Sequence, residues 1–512
     1  MHHLFTRTRL ITFAASSFSI FLFSIVLAFV ILPVIIDNQI DKNIRLERGT
    51  EQWHRFKQLP FNVSLNVTLF AVDNVEAVMK HGAKPILREQ GPYVFDQVLV
   101  RKDLSYNDNN SITYDRKIEL HFNQTRSGND VSIDDKITTI NPIYVALMQV
   151  LKDRSLDLFA PWVDNCINKL FNNSAYILKD YPVRNLMFDG MKICDFNLAE
   201  CNFGFFPLCS RFAITKTIEE VKDGKEHYMK FSLFNYKQII SDGVYEVNSG
   251  MIDISKIGEI EQWNYSNYTS LWDENLMNNT CNQIKGSDGT LFPPHLSEDS
   301  SLSIFSTDIC RSVSIVYNRT DTYKGIEGYV YKTDPNLFYS SVDDPTKDCY
   351  CSLKKGTLDE NGQKSCFLDG VIDIYPCLGL PVLVSQPHFL NADKKYLQNL
   401  EGLHPDPEKH EIYVLLDKYT GIPLQAHERV QLNIILRPSE SFDSSKNFAR
   451  TILPLVWIDM GLDLPDSGID LLNSLLYDTL TLVNISKWLF IGISLCLTIF
   501  ACILLELHLY SK

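Results

Sequence analysis

Residues 10 to 36 read LITFAASSFSIFLFSIVLAFVILPVII, and residues 488 to 505 read WLFIGISLCLTIFACILL. Neither stretch contains a charged side chain, and each is long enough to cross roughly 30 Å of hydrocarbon as a helix. The two stretches lie near opposite ends of a chain of 512 residues. They therefore predict a membrane protein anchored by one N-terminal and one C-terminal transmembrane helix.

A secretory signal peptide is the alternative for the first stretch, because Arg7 and Arg9 precede it. However, its apolar run is longer than the roughly 7 to 15 residues of a signal core, and no clear small-x-small cleavage site precedes Asp37. We therefore interpret the stretch as a retained anchor. The two arginines then place the N-terminus in the cytosol, since positive charges flank the cytosolic end of membrane helices.

The resulting topology has five parts. They are a cytosolic N-terminus at residues 1–9, a transmembrane helix at 10–36, an extracellular or lumenal domain at 37–487, a second transmembrane helix at 488–505 and a cytosolic tail at 506–512. No internal repeat or low-complexity linker divides the outer segment, so we treat it as one domain.

The outer segment carries two features of a non-cytosolic compartment. Asn-x-Ser/Thr triplets predict glycosylation at Asn62, Asn66, Asn109, Asn123, Asn172, Asn264, Asn267, Asn278 and Asn318. Ten cysteines also lie there, and an even number in an oxidising compartment predicts disulfides. Both features agree with the topology.

The outer segment combines strands with one helical region. Apolar and polar residues alternate around residues 118–122 and 430–434, which is typical of half-buried antiparallel strands. Asn141 followed by Pro142 predicts a helix start. An apolar stripe with helical spacing follows at Phe159, Trp162, Val163, Cys166, Ile167, Leu170 and Phe171. Such a stripe most often packs into the core, and the alternative is that part of it lines an apolar site.

The usual signatures of an enzyme are missing. The sequence contains no HExxH, GxSxG, Walker A or GxGxxG motif, so we expect neither catalysis nor a cofactor. His388, His404 and His410 are close in sequence, but their spacing matches no metal motif, and no metal site is expected. The formal net charge of -14 argues against a nucleic-acid partner, because binders of phosphate backbones usually present a basic face.

Six short sequence motifs resemble those of a known family and occur in the same order. They are Gln90-Gly91-Pro92-Tyr93-Val94-Phe95, Phe292-Pro293-Pro294, Phe305-Ser306-Thr307-Asp308-Ile309-Cys310-Arg311-Ser312, Pro387-His388-Phe389, Asn391-Ala392-Asp393 and Gly402-Leu403-His404-Pro405. Over residues 10 to 505 the chain resembles the class B scavenger receptors, a family that includes the fatty-acid translocase of plasma membranes and a lysosomal integral membrane protein.

The resemblance implies an α+β fold, in which a large antiparallel β-barrel carries a helical apex bundle at residues 141–186 and encloses an apolar tunnel. It also implies three disulfides, which join Cys281 to Cys349, Cys310 to Cys377 and Cys351 to Cys366. Cys166, Cys194, Cys201 and Cys209 have no counterpart in the common family pattern. Their three pairings stay open at this point.

The resemblance further implies a receptor that binds lipids or lipoproteins and passes fatty acid or sterol through the tunnel to the membrane. The expected partners are fatty acids, sterols, phospholipids or lipoproteins, together with the membrane itself. Ile167-Asn168-Lys169 is similar to the short phrase that contains a fatty-acid-binding lysine. The candidate contacts are Lys169, Phe159, Trp162, Val163 and Ile167, although a solvated lysine at a helix end explains Lys169 equally well. Basic and acidic residues balance at the apex, which argues against capture of polyanionic particles by charge.

Two further hypotheses come from other functional classes. One is a sorting or adhesion receptor that holds a protein ligand on the apex helices. The other is an ion channel with two helices per subunit, which is disfavoured because the spans carry no charged residue and few polar ones. The tail after Leu505 lacks an acidic dileucine sorting signal, which favours the plasma membrane over the lysosomal membrane.

Overall fold

The computed structural model describes residues 7–510 except 154–155, 172–174, 199–200, 202–208, 210–214, 216, 273–279, 341–348, 352–355 and 443–444. The chain divides into two compact units. Met1–Arg45 and Leu464–Lys512 form the first unit, and Leu46–Asp463 forms the second. The first unit contains the two terminal helices, and the second contains the sheets.

The described α-helices are α1 Arg7–Val26, α2 Leu32–Ile44, α3 Glu51–Lys57, α4 Val75–His81, α5 Gln124–Ser127, α6 Pro142–Asp153, α7 Ala160–Leu170, α8 Asn235–Ile239, α9 Tyr375–Leu378, α10 Lys395–Gln398, α11 Pro407–His410, α12 Asp466–Leu472 and α13 Asp478–Tyr510. The described strands are β1 Val63–Val72, β2 Leu87–Tyr106, β3 Ser111–Phe122, β4 Lys136–Ile140, β5 Ile177–Pro182, β6 Met191–Asp195, β7 Ile218–Asp223, β8 Glu226–Phe231, β9 Val244–Asn248, β10 Ile260–Trp263, β11 Leu302–Ser306, β12 Arg311–Tyr323, β13 Ile326–Thr333, β14 Val371–Asp373, β15 Leu383–Ser385, β16 Tyr413–Asp417, β17 Pro423–Leu436 and β18 Thr451–Asp463.

The terminal helices are longer than the apolar runs that predict them. Helices α1 and α2 are joined by a π-helical turn at Leu27–Ile31 into one helix of 38 residues, Arg7–Ile44. Helices α12 and α13 are joined in the same way into a helix of 45 residues, Asp466–Tyr510. Both are long and apolar enough to cross a membrane. Their outer ends continue as helix beyond the hydrocarbon-length runs at 10–36 and 488–505.

Helices α1 and α13 pack together through small polar side chains. The hydroxyls of Ser24 and Ser494 are 3.0 Å apart, and the Thr498 hydroxyl donates to the Ser17 carbonyl oxygen at 3.0 Å. These residues are buried in the helix pair. Small side chains let two helices approach closely, and a hydroxyl in hydrocarbon is stabilised when it finds a hydrogen-bond partner. The pair is therefore a specific contact.

The main sheet of the second unit has 13 antiparallel strands. Its principal order is β10-β9-β3-β2-β1-β18-β17-β16-β13-β12-β11, and β14 and β15 join it through β17. The alternation predicted around residues 118–122 and 430–434 lies in β3 and β17. The prediction of an α+β fold with a large antiparallel sheet is therefore confirmed.

A short segment joins the two edges of this sheet. The backbone N–H of Ile260 in β10 donates to the Gly286 carbonyl oxygen at 2.8 Å, and the N–H of Phe305 in β11 donates to the Ser287 oxygen at 2.9 Å. A Cβ atom on Gly286 would lie 1.9 Å from the Ser303 oxygen, so only glycine fits. The sheet is thus closed into a nearly complete barrel.

Side chains of the motif at residues 305–312 form contacts that stabilise this closure. The Thr307 hydroxyl donates to Asp242 at 2.6 Å, and Lys237 Nζ contacts both carboxylate oxygens of Asp308 at 2.8 and 2.7 Å. Asp242 lies just before β9, and Lys237 lies on α8. We call residues 286–287 and 305–312 the barrel seam.

The apex region begins as predicted and contains a strand as well as helices. The Asn141 side chain accepts the backbone N–H of Ile143 at 3.1 Å, and α6 starts at Pro142. Helix α7 ends at Leu170, and Ile177–Pro182 is strand β5, which pairs with β4. The helical apex that the resemblance implies at 141–186 thus contains α6 and α7, but residues 177–182 within it form a strand. Residues 177–182 form a strand because the backbone of β4 pairs with them, and that pairing is a tertiary contact.

Five disulfides stabilise the second unit. Cys281 is bonded to Cys349, Cys310 to Cys377 and Cys351 to Cys366, the partners that the resemblance implies. The remaining bonds join Cys166 to Cys201 and Cys194 to Cys209. Of the three pairings left open by the sequence, the structure contains this one.

Candidate ligand-binding site

The inner side of α7 holds two of the predicted ligand contacts in the core. Pro161 occupies the first turn, where a missing backbone N–H removes no hydrogen bond. Val163 and Ile167 are 0% and 1% exposed and belong to the main hydrophobic cluster. Cys166 lies between them, and its bond to Cys201 fixes this side of the helix. These side chains position α7 and present no surface to an external ligand.

The outer side of α7 carries the other predicted contacts. Trp162 is 53% exposed, and Lys169 is also exposed. The two residues are seven positions apart, which places them on one face of the helix, about 10 Å from each other along its axis. The half-buried Phe159 ring lies 6.2 Å from the Trp162 ring. The apex therefore combines an aromatic pair at one end of α7 with a lysine at the other.

The barrel interior is the second part of the site, and the strand register identifies its surface. Phe122 is paired with Phe95, Phe95 with Leu65, Leu65 with Met460, and Met460 with Glu428. Side chains of directly opposed residues point to the same face of a sheet. These five residues thus form one row across β3, β2, β1, β18 and β17.

Much of this inner surface is apolar and incompletely packed. Ile118, Phe122, Val430, Leu432 and Met460 are half-buried although they lie within the barrel wall. In a close-packed core, inward apolar side chains of this size are fully buried. The partial exposure indicates space beside these side chains on the inner face.

A set of ionisable side chains forms an interior charge cluster beside the seam. Its members are Arg101, Arg116, Lys237, Asp242, Asp288, Asp308 and Glu428. Arg101 Nη2 lies 2.9 Å from Asp288 Oδ2, and Arg116 contacts both Asp242 and Asp288. Burial opposes ionisation of Asp288, but the two guanidinium groups hold its pKa well below the ordinary value.

Glu428 differs from the other members of this cluster. Burial raises its pKa to about 7, the charge of Asp308 acts in the same direction, and Lys237 and Arg116 oppose the shift. The sequence analysis did not identify Glu428 as a site residue. A signal was present, because Glu428 stands on the apolar side of a strand whose inward positions include Val430 and Leu432.

An open polar pocket lies beside the start of β9. It has a volume of about 640 Å³, and its lining includes Asp103, Asp115, Asp242, Asn264 and Tyr265. The Ser241 hydroxyl donates to Asp115 and engages that carboxylate. Among the described residues, no group of three or more histidine, cysteine, aspartate or glutamate side chains is arranged to hold a metal ion.

The three histidines that are close in sequence are brought together in the barrel wall. The rings of His388 and His410 stack with centroids 4.3 Å apart, and His388 Nε2 lies 2.9 Å from Glu89 Oε1. The backbone N–H of His404 donates to His388 Nδ1 at 2.9 Å. Both nitrogens of His388 are therefore used within the protein, and the histidines connect the phrases at 387–389 and 402–405.

The predicted glycosylation sites differ in accessibility. Asn62, Asn109, Asn264, Asn267 and Asn318 are exposed, whereas Asn66 and Asn123 are half-buried. The Asn123 amide donates to Asp96 at 2.8 Å, and the Asn66 Oδ1 atom is buried without a hydrogen bond. Asn172 and Asn278 lie outside the described residues.

Comparison with known proteins covers nearly the whole chain. Residues 15–505 match the CD36 family. Sensory neuron membrane protein 2 of Anopheles gambiae is 27% identical over 92% of this chain and 89% of its own length. Sensory neuron membrane protein 1 of Mamestra brassicae is 29% identical over 93% of this chain and 87% of its own length. Sensory neuron membrane protein 2 of Drosophila melanogaster is 27% identical, with 90% of each chain covered.

Proposed function

The chain belongs to the CD36 family, and from this we propose that it receives lipid at its apex and passes it through the barrel interior to the membrane. The chain is a two-pass plasma-membrane protein with a large outer domain, as family and helices together indicate. Passage of lipid through the interior is the proposal.

The observation that carries this proposal is the incompletely buried apolar face inside the barrel. Val430, Leu432 and Met460 remain half-buried on that face. A lipid chain beside such residues leaves water, and each buried CH₂ group contributes roughly 0.8 kcal/mol. A walled path between apex and membrane would let an insoluble molecule move without crossing bulk water. No covalent step is needed.

The apex supplies the proposed contact for capture. Trp162 offers an exposed aromatic surface for an apolar chain, and Phe159 supports it from the side. Lys169 lies on the same face of α7, where its ammonium group would contact the polar head group of the lipid. Val163 and Ile167, which were also predicted as contacts, would act indirectly by holding the helix.

A blocking substitution inside the barrel tests the proposal. Full-length protein is purified in a mild detergent, and native mass spectrometry measures co-purifying fatty acid or sterol. We expect bound lipid in the parent protein and its loss in Val430→Trp, because the indole fills the inner space. Val316→Trp is the matched control, since Val316 is 38% exposed on β12.

Uptake of a fluorescent sterol by cells expressing each variant provides the second measurement. Val430→Trp should reduce uptake, while Val316→Trp should leave it unchanged at equal surface expression. Absence of bound lipid in the parent protein together with absence of uptake would contradict the proposed function.

A protein-binding receptor is the second candidate, and one observation favours it. Leu158 is 83% exposed and lies one turn before Trp162, so two large apolar side chains face solvent at the apex. Exposed aromatic and aliphatic anchors are typical of protein-binding surfaces. If Trp162→Ala abolished binding of a stoichiometric protein partner and left lipid content unchanged, this candidate would be preferred. The relatives are named for sensory neurons, so membranes of sensory cells are the material in which to seek that partner.

A further inference from the structure

Glu428 places a carboxyl group on the inner face of the barrel. It is paired with Met460 of β18, which is paired in turn with Leu65 of β1. Val430 and Leu432 occupy the next positions on the same side of β17 and are apolar. A carboxyl on this surface costs free energy unless a partner compensates it.

No such partner is present within the described part of the chain. The pKa of Glu428 is set by burial and by the charges of Asp308, Lys237 and Arg116, with no hydrogen bond contributing. Lys237 is committed elsewhere, because its ammonium group contacts both oxygens of Asp308. Arg116 is committed to Asp242 and Asp288. The carboxyl of Glu428 thus keeps its capacity for hydrogen bonding.

The interior charge cluster contains one more carboxyl group than it contains cations. The cations Arg101, Arg116 and Lys237 are matched by the carboxylates Asp242, Asp288 and Asp308, which contact them. Glu428 is an additional carboxyl. When it ionises, the cluster carries one excess negative charge in surroundings that screen charge poorly.

We propose that Glu428 is a specificity-determining residue inside the barrel, which binds uncharged lipid head groups such as a hydroxyl or carbonyl and disfavours anionic ones. The inference rests on the proposed function, since the lipid must pass this face. A hydroxyl satisfies the unpaired carboxyl by donating to it or accepting from it. An anionic head group meets like charge, because the described cations of the cluster are already paired with carboxylates. Two like charges in a poorly hydrated site repel strongly.

Two probes of equal chain length and different head-group charge separate these effects. Oleyl alcohol is uncharged, and oleyl sulfate stays anionic across the pH range of the experiment. Binding of each probe to full-length protein in detergent is measured at about pH 8 for the parent chain and for Glu428→Gln. We expect the parent protein to prefer the alcohol, and the substitution to tighten sulfate binding by about tenfold, which corresponds to one pKa unit of interaction.

The matched control is Glu119→Gln, because Glu119 is an exposed glutamate on the outer face of β3. It should leave both affinities unchanged. The ratio of alcohol affinity to sulfate affinity is compared between Glu428→Gln and the parent protein. Equal ratios would overturn the inference but would not contradict the proposed function. Failure of the parent protein to bind either probe would instead overturn the proposed function and the inference with it.

A measurement without substitution makes the test independent of the variant's folding. Between about pH 8 and pH 6 the Glu428 carboxyl takes up a proton, because its pKa lies at about 7. Lys237 and Arg116 stay charged because their pKa values are raised, and Asp308 stays paired with Lys237. Oleyl sulfate binding to the parent protein should therefore tighten as the pH falls, and oleyl alcohol binding should change little. Sulfate binding that is independent of pH would contradict the assignment.

Discussion

At the scale of single residues, charged side chains of the barrel wall differ in whether the fold gives them partners. His427 lies between Asp459 and Asp463, with its Nδ1 atom 3.0 Å from Asp459 Oδ1. Burial disfavours its charged form, but the two carboxylates outweigh burial and raise the pKa of His427 to about 9. Glu428, the next residue, faces the other side of the strand and has no comparable partner among the residues that the structure describes.

The raised pKa of His427 predicts a pH-dependent stability. The charged form is stabilised in the folded state, so the contribution is fully present below the unfolded pKa of roughly 6.5 and is lost as the pH rises through about 9. We expect the thermal midpoint of the purified protein to fall between about pH 7 and pH 10. The fall should be smaller in His427→Gln, because the contribution of about 3 kcal/mol is then absent at every pH. His121→Gln, at an exposed histidine, should retain the full fall.

At the scale of elements, the motif at 305–312 contributes to the barrel seam, which closes the sheet between β10 and β11. Each strand of the main sheet has a neighbour by hydrogen bonding, but β10 and β11 would be edges without residues 286–287. Unpaired edges expose backbone groups that are prone to pairing with other chains. Thr307 and Asp308 reinforce the closure through Asp242 and Lys237.

The seam predicts a strong effect of a single methyl group. Gly286 has a φ of +85°, and a Cβ atom there would lie 1.9 Å from a backbone oxygen. Gly325 has a φ of +87° and no atom within 4 Å of the equivalent position. Gly325→Ala should cost about 1 to 2 kcal/mol from backbone strain alone. Gly286→Ala should cost substantially more, because it also forces the seam apart.

Thermal midpoints of the two purified variants, or their surface amounts where purification fails, measure this difference. Equal thermal midpoints of Gly286→Ala and Gly325→Ala would show that the seam tolerates the methyl group, and would contradict closure of the barrel through Gly286.

At the scale of the whole molecule, the predicted topology has residues 37–487 outside the cytosol, and glycosylation tests that prediction. Asn318 is exposed on β12, whereas Asn66 lies in β1 between two paired strands with its side-chain oxygen buried. We expect a glycan on Asn318 and none on Asn66. Asn318→Gln should remove one glycan mass in peptide mass spectrometry, and Asn66→Gln should remove none. An unmodified Asn318 in protein from animal cells would argue against this topology.

The sequence by itself determined features that depend on local pattern. The uncharged runs at 10–36 and 488–505 predicted the terminal helices, since only a helix satisfies its own backbone in hydrocarbon. Alternation predicted strands in what became β3 and β17, and Asn141-Pro142 predicted the start of α6. In each case the physical cause acts within a few neighbouring residues.

Only the tertiary structure decided which distant residues meet. The pairing of Cys166 with Cys201, the strand at 177–182 and the closure through Gly286 each depend on partners far along the chain. The same holds for the site: the tertiary fold buries Val163 and Ile167, exposes Trp162, and surrounds Glu428 with charges from other elements. Burial and pKa are properties of that assembled environment, so a local pattern predicts a residue's element but not its neighbours.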